Sequence, residues 1–223
     1  MQHQSLARFI DQTLLKPEAT SSQILHLCEG ARQHQFFGVC VNSSFVELAV
    51  KELQSTSTKV VCVVGFPLGA MLTAGKCFEA EKCVQKGAQE IDMVLSLGRL
   101  KEKNFSAVQS DIQSVVKASQ GALVKVIIET ALLTDDEKKS ASSLCVEAGA
   151  HFVKTCTGFM GGQATVADIQ LIRSVVGPDM GIKASGGVKT AQQAWDLIQA
   201  GATRLGTSSG LELVVGLDSK GGY

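Results

Sequence analysis

The sequence predicts a single α/β domain over residues 1–223, folded as a closed eight-stranded parallel (β/α)8 TIM barrel. Three observations carry the prediction. Short β-branched runs recur eight times, stretches of helical periodicity separate them, and several of those stretches end in Gly-Ala just before the next run. Apolar strands alternating with amphipathic helices form a parallel sheet covered by helices. A count of eight favours a closed barrel over an open doubly wound sheet. No Pro/Gly/Ser-rich linker or shift in composition divides the chain, and single barrels commonly run to this length.

The elements follow in order. The first three strands are read at residues 10–15 (IDQTLL), 38–42 (GVCVN) and 60–66 (VVCVVGF). A helix starts behind Thr73 (AGKCFEAEKCVQKG) and leads to the fourth strand, 90–96 (EIDMVLS). The fifth is 123–130 (LVKVIIET), and the helix behind Thr134 (DDEKKSASSLCVEAG) leads to the sixth, 152–157 (FVKTCT). The seventh is 181–185 (GIKAS), and the helix behind Thr190 (AQQAWDLIQAG) leads to the eighth, 204–207 (RLGT). Each of these threonines is an N-cap candidate. Gly87, Gly149 and Gly201 stand where a helix must stop within a short loop, and their recurrence marks a repeated βα unit. Residues 216–223 (GLDSKGGY) have neither period and read as a flexible C-terminal tail.

Composition excludes several classes of function. Apolar residues make up 45% and charged residues 19%, enough for a core and too few charges for disorder. Lys plus Arg and Asp plus Glu both number 21, so no overall field draws nucleic acid or an anionic membrane, and any bound anion must be held by local groups. The seven cysteines form no Cys-x-x-Cys pair and no zinc-ligand spacing with the four histidines. They read as reduced, mostly buried thiols of a cytoplasmic protein without a metal. The segment MQHQSLARFIDQ lacks the apolar core of a signal peptide, and no run reaches membrane-spanning length.

Barrel active sites lie at the C-terminal ends of the strands. There the sequence places Asp11, Thr13, Lys16, Cys40, Asn42, Asp92, Ser96, Lys125, Glu129, Lys154, Lys183, Ser185 and Thr207 to Ser209. Two lysines are out of character: Lys154 in HFVKTCTGF and Lys183 in MGIKASGG each interrupt an apolar, β-branched run. A buried ammonium costs several kcal/mol unless paired. One such lysine could snorkel to solvent or serve a structural ion pair. Two on successive strands, about 4.8 Å apart, would each favour loss of the other's proton. That yields the neutral, nucleophilic amine that a carbonyl-attacking enzyme requires. Asp92, between Ile91 and Met93, could carry protons, or neutralise a lysine, or do both. After the seventh strand comes Ser185-Gly186-Gly187, and after the eighth GTSSG (206–210), the two loops that bind phosphate in many barrels. Glycine admits the anion to the backbone, and Ser208 and Ser209 add hydroxyl donors. The plainer reading is a pair of tight turns.

The segments IDQTLLKPEAT, GVCVN, VGFPLG, EIDMVLSLGRLK, VKVIIETALLT, FVKTCTGF, IKASGGVKT and AGATRLGTSSG occur in the order and spacing of the 2-deoxyribose-5-phosphate aldolases. The chain resembles that family from Ile10 to Gly210, nearly throughout. The resemblance implies a class I aldolase on a TIM barrel, interconverting 2-deoxy-D-ribose 5-phosphate with acetaldehyde and D-glyceraldehyde 3-phosphate, without cofactor or metal. It implies Lys154 as the Schiff-base lysine, Lys183 as the neighbour that perturbs it, and Asp92 as the proton-transfer carboxylate. The substrate pocket would comprise Asp11, Thr13, Leu15, Cys40, Phe66 and Thr157. The phosphate site would comprise Gly158, Gly186, Gly187, Val188, Gly206, Ser208 and Ser209. The resemblance implies as partners a small phosphorylated sugar and acetaldehyde, with no nucleic acid or membrane, and as assembly a homodimer or homotetramer. The chain departs from the family at Gln12 (often His), Cys156 (usually Ser) and Lys189 (frequently Arg), where a lysine offers a point charge rather than a bidentate fork. Another Schiff-base barrel aldolase or transaldolase, and a non-catalytic sugar-phosphate sensor on the same barrel, are the competing readings.

The only tyrosine, Tyr223, ends the sequence behind Gly221 and Gly222. Those glycines would let the tail fold over the barrel mouth, where a phenol could assist enamine protonation. A tail without a role is the alternative.

Overall fold

The structure is a computed structural model describing residues 4–217. Its eight strands are β1 (Ile10–Leu14), β2 (Gly38–Val41), β3 (Lys59–Val64), β4 (Glu90–Val94), β5 (Leu123–Ile127), β6 (Phe152–Lys154), β7 (Gly181–Ser185) and β8 (Arg204–Thr207). They pair in parallel in sequence order, and β8 returns to β1, so the sheet is a closed barrel as the sequence predicts. Around it lie α1 (Ser21–His34), α2 (Val46–Leu53), α3 (Thr73–Gln85), α4 (Leu97–Lys101), α5 (Phe105–Ala118), α6 (Asp135–Glu147), α7 (Val166–Val176), α8 (Ala191–Gln199) and α9 (Gly210–Val215). The crossover after β4 carries two helices, the extra one that the eightfold pattern did not anticipate. Of the proposed tail only Gly216 and Leu217 are described; the rest, with Tyr223, lies outside the described residues.

Strand ends differ from the sequence expectation by a few residues. β6 stops at Lys154 rather than Thr157, because beyond it side chains enter the hydrogen bonding. The Thr155 hydroxyl donates to the Ser185 carbonyl at 2.7 Å, and Glu129 takes the Thr157 N–H. β5 likewise ends before Glu129, which is left-handed at φ 54°.

Capping follows the sequence at two of the three threonines. Thr134 forms a capping box with Glu137, and Thr190 accepts from the Gln193 N–H. Thr73 does not cap. It is the first residue of α3, behind Leu72, and its hydroxyl donates instead to Asp111 at 2.6 Å. The same carboxylate holds the buried Lys76 at 2.6 Å, tying α3 to α5.

Side chains alternate across every strand. One set, including Val39, Cys62, Ile91, Met93, Val126, Val153, Ile182 and Leu205, packs under the helices in the main core. The opposite set faces the barrel axis and divides in two. Leu15, Cys40, Val61 and Val63 make a small apolar patch on the β1–β3 side. On the β4–β8 side it is mainly acids and bases, with Val94, Ile127, Ser185 and Gly206 among them. Among the described residues no helix is long and apolar enough to cross a membrane.

Candidate active site

The barrel interior holds a sealed network of charge. Asp92 on β4 stands opposite Lys125 on β5, Lys154 on β6 opposite Lys183 on β7, and Lys183 opposite Arg204 on β8. Period two then aims these side chains at one another. Asp92 Oδ2 accepts from Lys154 Nζ at 2.8 Å and from Lys183 Nζ at 2.8 Å, while Oδ1 accepts from Lys125 Nζ at 2.7 Å. Lys183 also donates to Asp11 at 2.5 Å, and Lys125 pairs with Glu90 at 2.6 Å. Arg204 closes the circuit from beneath, bonding Asp11 at 2.9 Å and Glu90 at 3.0 Å with its guanidinium over the Phe37 ring. All seven side chains are buried.

Their ionisation follows from two opposed effects. Burial disfavours the charge on Asp92, but Lys125, Lys154 and Lys183 outweigh it and hold the carboxyl well below the usual carboxylate range. Burial acts likewise on Asp11, where Lys183, then Arg204, lower the carboxyl. Lys183 is the mirror image: desolvation favours the free amine, yet Asp11 and Asp92 overcome it and raise the group above an ordinary lysine. Lys183 is therefore a fixed positive charge beside Lys154. Cys40 sits on the same interior, and burial pushes its thiol up.

The residues expected to line a substrate pocket fall in different places. Leu15, Cys40 and Phe66 form the apolar wall, with Phe66 packed edge-on against Phe159 at 5.1 Å. Asp11 lies below, between Lys183 and Arg204. The Thr13 hydroxyl turns back to the Asp11 carbonyl at 2.9 Å, and Thr157 is held by Glu129.

Beside the charge network is a cavity of about 150 Å³, lined by Gly158, Gly161, Gly162, Gln163, Gly187, Val188, Lys189, Gly206, Thr207, Ser208 and Ser209. The loops after β6, β7 and β8 meet there. Of the residues expected at a phosphate site, only Gly186 is outside the lining; it packs behind, where a Cβ would stand 2.8 Å from the Gly162 carbonyl oxygen. Gly206 joins cavity to network, since a Cβ on it would lie 2.8 Å from Ser185 Oγ and 3.0 Å from Lys183 Cε. Gln12 ties the β8 loop to β1, donating to the Ser208 carbonyl at 3.1 Å and accepting from the Gly210 N–H at 2.8 Å. Tyr223 lies outside the described residues.

Sequence reasoning did not assign Glu90 or Arg204 to the site, nor Gly161, Gly162 and Gln163 to the cavity. Lys125 stood among the strand-end residues without a role, and Lys189 was expected beside the phosphate, where it lines the cavity. The signal for Glu90 was present, since it is two residues before Asp92 on one strand. Arg204 could be found only through its register with Lys183. Among the described residues no three His, Cys, Asp or Glu side chains are grouped to hold a metal ion. All seven cysteines are free.

Known proteins share this architecture. The sequence model of the DeoC/LacD family aldolases matches residues 6–215. The deoxyribose-phosphate aldolase of Bdellovibrio bacteriovorus is 56% identical over 98% of this chain and 99% of its own length. That of Bacillus subtilis is 52% identical over 98% of each. The tetrameric deoxyribose phosphate aldolase of Aeropyrum pernix superposes with a TM-score of 0.89 at 31% identity, covering 96% of this chain and 91% of that one.

Proposed function

The chain belongs to the DeoC/LacD family of aldolases, and from that premise we propose that it reversibly cleaves 2-deoxy-D-ribose 5-phosphate into D-glyceraldehyde 3-phosphate and acetaldehyde through a Schiff base on Lys154. One observation carries the assignment of the site: Lys154 and Lys183 share a single oxygen of Asp92, next to a cavity walled by glycine and serine.

The attacking species is a free amine. With every group charged, Lys125, Lys154, Lys183 and Arg204 face only Asp11, Glu90 and Asp92. Removing the proton of Lys154 balances the network, which a buried site favours. Lys183 and Arg204 each hold two carboxylates, whereas Lys154 has Asp92 alone, so Lys154 is the amine released at least cost.

The free amine adds to the sugar aldehyde at C1, giving a carbinolamine. Loss of its hydroxyl as water gives the imine, whose nitrogen accepts electrons. Transfer of the C3 hydroxyl proton to solvent, which later supplies the proton at C2, lets the C2–C3 electron pair move into the imine, releasing D-glyceraldehyde 3-phosphate and leaving the enamine. Protonation at C2 and hydrolysis release acetaldehyde and restore Lys154. Asp92, in contact with both Lys154 and Lys183, takes and returns protons at the nitrogen. Lys183, held cationic by Asp11, keeps a positive charge where oxyanion character develops. The phosphate does not react. Its place is the cavity of Gly187, Gly206, Ser208, Ser209 and Lys189, where binding energy positions C1 over Lys154.

The enzyme works as a homodimer or homotetramer in the cytoplasm. The exposed Leu68, Leu72 and Phe78 on the β3–α3 side support an assembly, as does the tetramer of the Aeropyrum relative, and the free thiols support a reducing compartment. Light scattering of the purified chain tests the assembly.

Borohydride reduction in the presence of acetaldehyde, followed by peptide mapping, tests the chemistry. One ethyl group on Lys154 is expected. An adduct on another lysine, or none, overturns the assignment.

A further inference from the structure

Glu129 has no part in the imine chemistry, yet it is the most heavily constrained acid outside the charge network. It is fully buried at the end of β5 and takes a left-handed backbone conformation, φ 54° and ψ 65°, which a non-glycine residue keeps only when its surroundings demand it. Its Oε2 accepts twice from one residue, the Thr157 N–H at 3.1 Å and the Thr157 hydroxyl at 2.5 Å. The Thr157 oxygen in turn accepts from the Phe159 N–H at 3.1 Å, so these bonds bracket Gly158. Glu129 Oε1 has no hydrogen-bond partner among the described residues. It faces Gly162, where a Cβ would stand 3.3 Å from it, 2.9 Å from Cys156 Sγ and 2.8 Å from the Ala131 Cβ. The Ala164 N–H then donates to the Gly186 carbonyl at 2.9 Å, carrying the arrangement into the loop after β7.

We propose that Glu129 is a positioning residue for substrate phosphate, acting through Thr157 to set the loop after β6 against the cavity. The proposal rests on the reading of that cavity as the phosphate site. The carboxylate lies behind Gly158 and Gly162, and both line the cavity. Its acceptor oxygen does the positioning, through the two bonds from Thr157.

Glu129→Gln keeps an acceptor for Thr157, so KM for 2-deoxyribose 5-phosphate should stay level. Glu129→Ala removes the acceptor, and KM for the phosphorylated sugar should rise about tenfold or more. For unphosphorylated 2-deoxyribose, kcat/KM should change by less than about threefold in either variant, which also reports that the variant is folded. Ser208→Asp runs alongside as the test of the cavity itself and should raise KM for the phosphorylated sugar selectively. If Ser208→Asp is selective while Glu129→Ala leaves KM level or damages both substrates equally, the role of Glu129 is refuted and the phosphate site stands. A Glu129→Gln variant as impaired as Glu129→Ala also refutes it. Should Ser208→Asp lack selectivity, the phosphate site itself is misplaced, and the proposal falls with it.

Discussion

Lys154 stands directly opposite Lys183 across the β6–β7 ladder, and both amines reach one oxygen of Asp92 at 2.8 Å. Neighbouring ammonium groups on one face of a ladder repel, so this arrangement exists only because the shared carboxylate, with Asp11 behind Lys183, compensates it.

Lys154→Arg preserves a positive charge near Asp92 but cannot form the imine. Turnover of 2-deoxyribose 5-phosphate should fall by at least about three orders of magnitude, and borohydride trapping with acetaldehyde should label no residue at this position. A folded variant within tenfold of wild type would show that the nucleophile is elsewhere.

Lys183→Leu leaves an oxygen of Asp11 without its lysine and removes the fixed charge beside Lys154. Loss of one electrostatic stabiliser of this kind costs about 10²–10³ in kcat. The discriminating control is Lys76→Leu, which breaks a buried pair with Asp111 on the helical side of the sheet. It should lower stability with little change in kcat, and equal kcat losses in the two variants would reduce Lys183 to a structural role.

The carboxyl of Asp92 is held well below its ordinary value in the folded chain, whereas an unfolded aspartate titrates near 3.9. Its ion pairs therefore contribute stability that is complete above about pH 5 and declines as pH falls through the folded-state value. Asp92→Asn should destabilise the protein at pH 7 by about 3–5 kcal/mol, since the buried Lys125 and Lys183 lose a counter-charge. Urea unfolding at pH 7 and pH 3 should show the difference between wild type and variant shrinking in acid. A gap that is constant with pH would exclude this role.

Gly206→Ala places a methyl group between Ser185 and Lys183. Overpacking of this size costs about 1–3 kcal/mol, and here it presses on Lys183 in the charge network. We expect kcat to fall for phosphorylated and unphosphorylated sugars alike. A loss confined to the phosphorylated sugar would mean that Gly206 serves the anion alone.

The barrel was legible because its evidence is local: β-branched runs, threonine caps and glycine stops each leave a mark within a few residues. That Lys154, Lys183 and Asp92 belong together was legible for a related reason, as ionisable side chains inside apolar runs, and the structure brings the three into contact. What escaped depends on register between strands, which no single strand encodes. Arg204 looks like the polar start of an ordinary strand until β8 is set against β7, and only then does it meet Asp11 and Glu90. Thr73 misled for the opposite reason: its local cap signal is sound, but Asp111, remote in sequence, offers its hydroxyl a better partner.

Closure of the barrel has a consequence for how the chain reaches this state. β1 pairs with β8, and the ion pair between Asp11 and Arg204 spans 193 positions of sequence. A ribosome releases β1 long before β8, so the first strand waits with one edge unmatched and a carboxylate that has not met its guanidinium. Contacts of such long range slow the search for the native arrangement. During that interval the nascent sheet is open to strand addition from another chain. Folding is thus the stage at which this protein is most exposed to aggregation, and arrival of the eighth strand ends that exposure.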